Sequence, residues 1–91
     1  MPTAQSHPPI LMYATAVCPY CVRARRLLES KGLIYEEIRI DRDHEQRKLM
    51  IQRSKRTTVP QIFIGDAHVG GYDDLARLEV FGRLDALLEQ L

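Results

Sequence analysis

Apolar residues in this chain come in short bursts between charged turns, and the spacing inside each burst identifies an element. "ILMYA" (10–14) is a continuous apolar run of the kind that forms a buried strand. Cys21, Ala24, Leu27 and Leu28 then recur at helical spacing, while Arg23, Arg25 and Arg26 lie largely elsewhere. Pro19 suits the first turn of that helix, and Lys31 followed by Gly32 supplies its stop. "LIYEEIRI" (33–40) is β-branched and partly alternating, a second strand, so the helix between the two strands completes a βαβ unit. Asp43 with Gln46 three residues later predicts a capping box for a helix over 44–53. "TTVPQIFI" (57–64) is a third strand, in which Pro60 must hold the first position or an edge. "GD" (65–66) is a glycine-first turn into "AHV", which closes a hairpin. "GG" (70–71) breaks the chain before a helix starting near Asp73. Gly82 separates that helix from a last one, where Leu84, Leu87, Leu88 and Leu91 keep one face. The order βαβ-α-ββ-α(α) predicts an α/β layered fold with a mixed sheet.

Length and composition narrow the setting. The 91 residues suit one domain over 10–91, preceded by a flexible N-terminal extension over 1–9. That extension, "MPTAQSHPP", lacks the basic start and apolar run of a signal peptide. No later stretch approaches the roughly 20 apolar residues that span a bilayer. A cytoplasmic location is therefore expected. With 27% charged residues and a formal net charge of +1, neither nucleic acid nor a membrane is an expected partner. The expected state is a monomer.

Both cysteines of the chain fall in "CPYC", at 18 and 21. A structural disulfide would not persist in a reducing compartment, and so short a loop removes little unfolded-state entropy. A closed zinc site needs about four ligands, whereas His7, His44 and His68 are scattered and show no metal-ligand spacing. No metal is expected. A redox centre fits best, because C-x-x-C beside a βαβ pattern places one thiol at a helix N-terminus. Unpaired N–H groups and the positive dipole end favour an anionic sulfur at Cys18. Cys21, one turn further on and more buried, suits the resolving role.

"CPYC" followed by a helix, then "TVP" at 58–60 and "GGYDDL" at 70–75, resembles a glutaredoxin of the small bacterial dithiol class, from about Ile10 to Leu88. The resemblance implies a thioredoxin-like fold, a four-stranded mixed sheet flanked by helices. It also implies a glutathione-dependent thiol–disulfide oxidoreductase that reduces protein disulfides and glutathione mixed disulfides. Cys18 would be the nucleophile and Cys21 the resolving thiol, with glutathione as reductant and disulfide-containing or glutathionylated proteins as partners. Pro60 would follow a cis bond, leaving the Val59 backbone to pair with glutathione as a short strand. Asp73, Asp74, Gly71 and the N–H groups of the helix they open would hold its γ-glutamyl end. Tyr20 and Thr58 would line the cleft, and Arg47 would reach the glycine carboxylate. Two positions depart from the family pattern. Tyr72 stands where a small residue is usual, and Thr15 where lysine is common. The cation missing at Thr15 would have to come from Arg47 or Arg56. The rival function is an iron–sulfur carrier, in which two chains each give Cys18 and two glutathiones complete the ligands. The proline of "CPYC" argues against it in this family.

Overall fold

The computed structural model describes residues 7–89. Residues 1–6 of the expected extension, and Leu91 of the last helix, lie outside the described residues. Strand β1 (Ile10–Ala14) continues into helix α1 (Pro19–Ser30), followed by β2 (Glu36–Arg39) and α2 (His44–Ser54). The hairpin β3 (Gln61–Ile64) and β4 (Ala67–Gly70) leads to α3 (Tyr72–Val80) and α4 (Arg83–Leu88). The sheet order is β2-β1-β3-β4. β1 runs parallel to β2 through the α1 crossover and antiparallel to β3, so the sheet is mixed as expected.

Period-two alternation divides the core. Ile10, Met12, Ala14, Ile62 and Ile64 face α1, α3 and α4, where they meet Ala24, Leu28, Leu75, Leu84 and Leu88. Tyr13 and Phe63 face the other way and pack with Met50 of α2 and with Ile40. Fully burying a side chain such as Leu28 or Leu75 stabilises by about 1.5–3 kcal/mol, so the larger cluster carries most of the driving force.

Two strands are shorter than the sequence pattern predicts, each for an identifiable reason. At the end of α1, Gly32 takes φ +68°, and the N–H groups of Leu33 and Gly32 donate to the carbonyls of Leu28 and Glu29. This helix stop consumes the backbone of Leu33, so β2 starts at Glu36 rather than at Leu33. The expected strand over 57–64 begins only at Gln61. β3 is an interior strand, and Pro60 has no N–H to give its ladder, so Thr57, Thr58, Val59 and Pro60 stay outside it. The Val59–Pro60 peptide is cis. The remaining signals place their elements closely. Asp43 caps α2 by accepting the Gln46 N–H at 3.3 Å, and of the two turn residues only Gly65 takes positive φ. Helix α3 begins one residue earlier than expected, at Tyr72. The Pro9 carbonyl accepts the Gly65 N–H at 2.8 Å, which ties the start of the described chain to the β3–β4 turn.

Candidate active site

Cys18 occupies the N-cap of α1 in an extended conformation, and Pro19 fills the first helical position, where a missing N–H costs nothing. From there the Cys18 Sγ accepts the backbone N–H of Cys21 at 3.2 Å and lies 3.8 Å from the Val59 carbonyl oxygen. Both thiols are free, and their environments differ. Cys18 is 9% exposed, flanked by the protruding Val17 and Tyr20, whereas Cys21 is fully enclosed in the larger core cluster. Burial first, and then its hydrogen bond with Cys18, push the Cys21 thiol up to about 12. The Thr15 backbone and the Arg25 charge oppose that rise. One sulfur is thus reachable and hydrogen-bonded by a helix N–H, and its neighbour is held as a neutral thiol.

Beside the pair runs a shallow cleft of about 290 Å³. Seven residues expected from the sequence line it: Tyr20, Thr58, Val59, Pro60, Gly71, Asp73 and Asp74. Arg47 does not; it stands exposed on α2, away from this lining. The cation on the cleft is Arg56, whose Nη1 lies 3.1 Å from the Asp74 Oδ2. Tyr72 forms part of the wall as well. Its signal in the sequence was its place between the glycine pair and the two aspartates. Arg56 was marked only by preceding "TTVP".

The two aspartates are not equivalent. Asp74 accepts the Gly71 N–H at 2.9 Å and pairs with Arg56, and these partners, in that order of weight, hold its carboxyl below the usual range. Asp73 is exposed and makes no hydrogen bond or ion pair among the described residues, so its carboxylate is open to a ligand cation. Behind the lining residue Thr58, the buried Gln61 donates to the Thr58 carbonyl and hydroxyl at 3.0 and 3.3 Å and meets His68 at 2.8 Å. That relay fixes the segment carrying Val59. A larger depression of about 530 Å³ lies between β4, α3 and α4, whereas the smaller cleft is lined by Val59, whose carbonyl oxygen meets the Cys18 sulfur, so the chemistry belongs to the smaller cleft. Among the described residues, no group of three or more His, Cys, Asp or Glu side chains is placed to share a metal ion, and no helix is long and apolar enough to cross a membrane.

Comparison with known proteins agrees with this geometry. Residues 10–69 match the glutaredoxin family. A glutaredoxin of Pseudomonas aeruginosa is 53% identical over 81 residues, covering 89% of this chain and 96% of that one. The solution structure of a glutaredoxin from Brucella melitensis superposes with a TM-score of 0.81 at 49% identity, over 92% of this chain and 91% of its own. A buckwheat glutaredoxin–glutathione complex also reaches 0.81, at 29% identity, over 92% of this chain and 78% of its own. A reachable thiol at a helix N-terminus, a sealed partner one turn away and this likeness lead to one conclusion: the chain belongs to the glutaredoxin family, with its thioredoxin-like fold, and is a thiol–disulfide oxidoreductase.

Proposed function

We propose that the oxidoreductase is glutathione-dependent and acts on protein disulfides and glutathione mixed disulfides in the cytoplasm. The carrying observation is the contact of the Cys18 sulfur with the Val59 carbonyl, at the edge of a cleft whose other end is the N-terminus of α3. A bound glutathione complex in a relative of the same fold supports that occupant. In this reading the tripeptide lies extended along Val59, exchanging main-chain hydrogen bonds as a short antiparallel strand. Its γ-glutamyl carboxylate meets the N–H groups at the start of α3, and its amine meets Asp73. Tyr20 and Tyr72 wall the sulfur end. Arg56, bonded to Asp74 on the cleft, offers its charge to a glutathione carboxylate, the role for which the sequence offered Arg47 or Arg56.

The exchange then runs in three balanced steps. The Cys18 thiolate attacks a substrate disulfide, forming a mixed disulfide and releasing one thiol. The Cys21 sulfur displaces the second substrate thiol, leaving Cys18–Cys21 as a disulfide. Two glutathione molecules reduce that disulfide and leave as glutathione disulfide. When the substrate is itself a glutathione mixed disulfide, Cys18 and a second glutathione suffice.

Steady-state reduction with glutathione, compared with an equal concentration of free cysteine as reductant, tests the reading. Glutathione should give saturation and the higher rate, because it alone spans the cleft. Equal, unsaturated rates with both thiols would remove the glutathione site.

A further inference from the structure

Arg25 was expected to lie largely off the buried face of α1, yet its guanidinium is folded back under the active-site turn. Nε and Nη2 donate to the two Glu37 oxygens at 2.8 and 2.6 Å, a bidentate pair from α1 to β2. Nη2 also reaches the Thr15 carbonyl at 3.4 Å. Position 25 is four residues beyond Cys21, so both side chains lie on one helix face. Only about a quarter of either partner's side chain is exposed. An ordinary surface pair would not be tucked against the loop that carries the nucleophile.

We propose that Arg25, clamped between the Glu37 carboxylate and the Thr15 carbonyl, is a positioning residue that holds a cation where Cys21 becomes a thiolate in the second exchange. The inference rests on the resolving role assigned to Cys21 above. In that step Cys21 loses its proton, its sulfur attacks Cys18, and the departing substrate thiolate takes up a proton. Cys21 is oxidised from thiol to disulfide, Cys18 stays at the disulfide level, and the departing substrate sulfur is reduced to a thiol. Cys21 has no access to water, so solvent cannot stabilise its anion, and the fixed charge of Arg25 and the Thr15 backbone are the groups that favour it. The charged or titratable groups acting on this cluster are Cys18 and Arg25 on α1, Tyr35 ahead of β2, and Glu37 and Arg39 on β2. Glu37 fixes the guanidinium in place, with its own carboxyl held low by that pairing.

A chromogenic aromatic disulfide (dithiobis-nitrobenzoate) mixed with equimolar reduced protein resolves the two steps without glutathione. The first coloured thiol leaves when Cys18 attacks, the second when Cys21 displaces the other half. One partly screened charge shifts a neighbouring titration by about one unit, which lowers the thiolate fraction about tenfold. The more basic thiolate is intrinsically more nucleophilic and recovers about threefold of that. Arg25→Gln should therefore slow the second phase about threefold relative to the first, and Arg25→Lys should restore most of it. An unchanged ratio of phases, or Arg25→Lys as slow as Arg25→Gln, overturns the proposal. Should Arg25→Gln fail to fold, Glu37→Gln gives the same decision from the other side. It takes away the carboxylate that fixes the guanidinium, so the second phase should slow relative to the first, and an unchanged or faster second phase overturns the clamp. Cys21→Ser must abolish the second phase in every case. If it does not, the resolving role fails, independently of Arg25.

Discussion

Cys18 and Cys21 are separated by one helical turn and by a difference in environment that should make their variants unequal. Cys18→Ser removes the attacking sulfur, and turnover on every substrate should disappear. Cys21→Ser leaves Cys18 and its helix N–H groups in place, so reduction of glutathione mixed disulfides should persist while protein-disulfide reduction collapses. Parallel assays on the two substrate classes check this, and equal losses would refute the division of labour. The cleft cation is the second matter at this scale. The Arg56–Asp74 pair is about half and a third exposed, and pairs in such settings contribute roughly 0.2–1 kcal/mol. Arg56→Ala should accordingly raise the KM for glutathione by about 1.4- to fivefold, at 1.4 kcal/mol per decade. Arg47→Ala, off the cleft lining, should change it less; the reverse ranking would return the carboxylate to Arg47.

Helix α3 shows how an element delivers backbone groups to a ligand, and Gly70 is the position on which its start depends. Gly70 takes φ +116°, and a Cβ there would run into the Asp74 carboxylate and stand 3.1 Å from the Arg56 Nη1. Relieving that overlap moves Asp74 off the Gly71 N–H, so backbone strain and loss of the N-terminal hydrogen bond arrive together. Such strain costs about 1–3 kcal/mol. Gly70→Ala should lower Tm by about 5–20 °C, at roughly 4–8 °C per kcal/mol, and weaken glutathione binding in the same variant. A Tm within a degree or two of the parent would show that Asp74 relocates freely. Elements of this kind were legible in the sequence wherever the signal is local. Apolar run, Pro19, Gly32 and the Asp43 cap placed β1, α1 and α2 within a residue or two. The β-branched run Thr57–Thr58–Val59 misled because strand propensity says nothing about whether the strand is interior. Once β3 lies between β1 and β4, Pro60 can only precede it. Likewise the dithiol was readable from its spacing, whereas Arg56 on the cleft, and Arg25 beneath the turn, depend on contacts with segments 18 and 12 residues away.

At the level of the whole molecule, redox site and core are one structure, since Cys21 sits in the cluster that also holds Met12, Leu28 and Leu75. Stability should therefore follow pH in a way set by the same groups. Glu37, beside Arg25, and Asp74, bonded to the Gly71 N–H, have folded-state values below their ordinary ones. Their contribution is complete above the ordinary carboxylate range and is lost as pH falls below about 4. On the alkaline side burial lifts Cys21 to about 12, and burial with the Glu29 hydrogen bond lifts Tyr35 to about 12. Lys31 is raised too, by its bonds to Asp85 and Glu79, which tie the end of α1 to α4 and α3. For all three the contribution is complete below the ordinary value and fades as pH rises through the folded one. Burial holds His68 below its ordinary 6.5, so the unfolded chain takes up that proton first. The Tm of the reduced protein should thus be flat from about pH 7 to 9 and fall on both sides. Lys31→Met separates the alkaline contributions. The lysine side chain is largely covered but its partners are 38% and 61% exposed, so the network should be worth on the order of 1 kcal/mol after screening. That is about 4–8 °C in Tm for a domain this size. The deficit should hold across the plateau and close only above about pH 10.5, where the unfolded chain's lysine begins to lose its proton while the folded one still holds it. A deficit that stays constant through that range would mean that Lys31 stabilises by packing its stem between the helices, and that its charge contributes nothing.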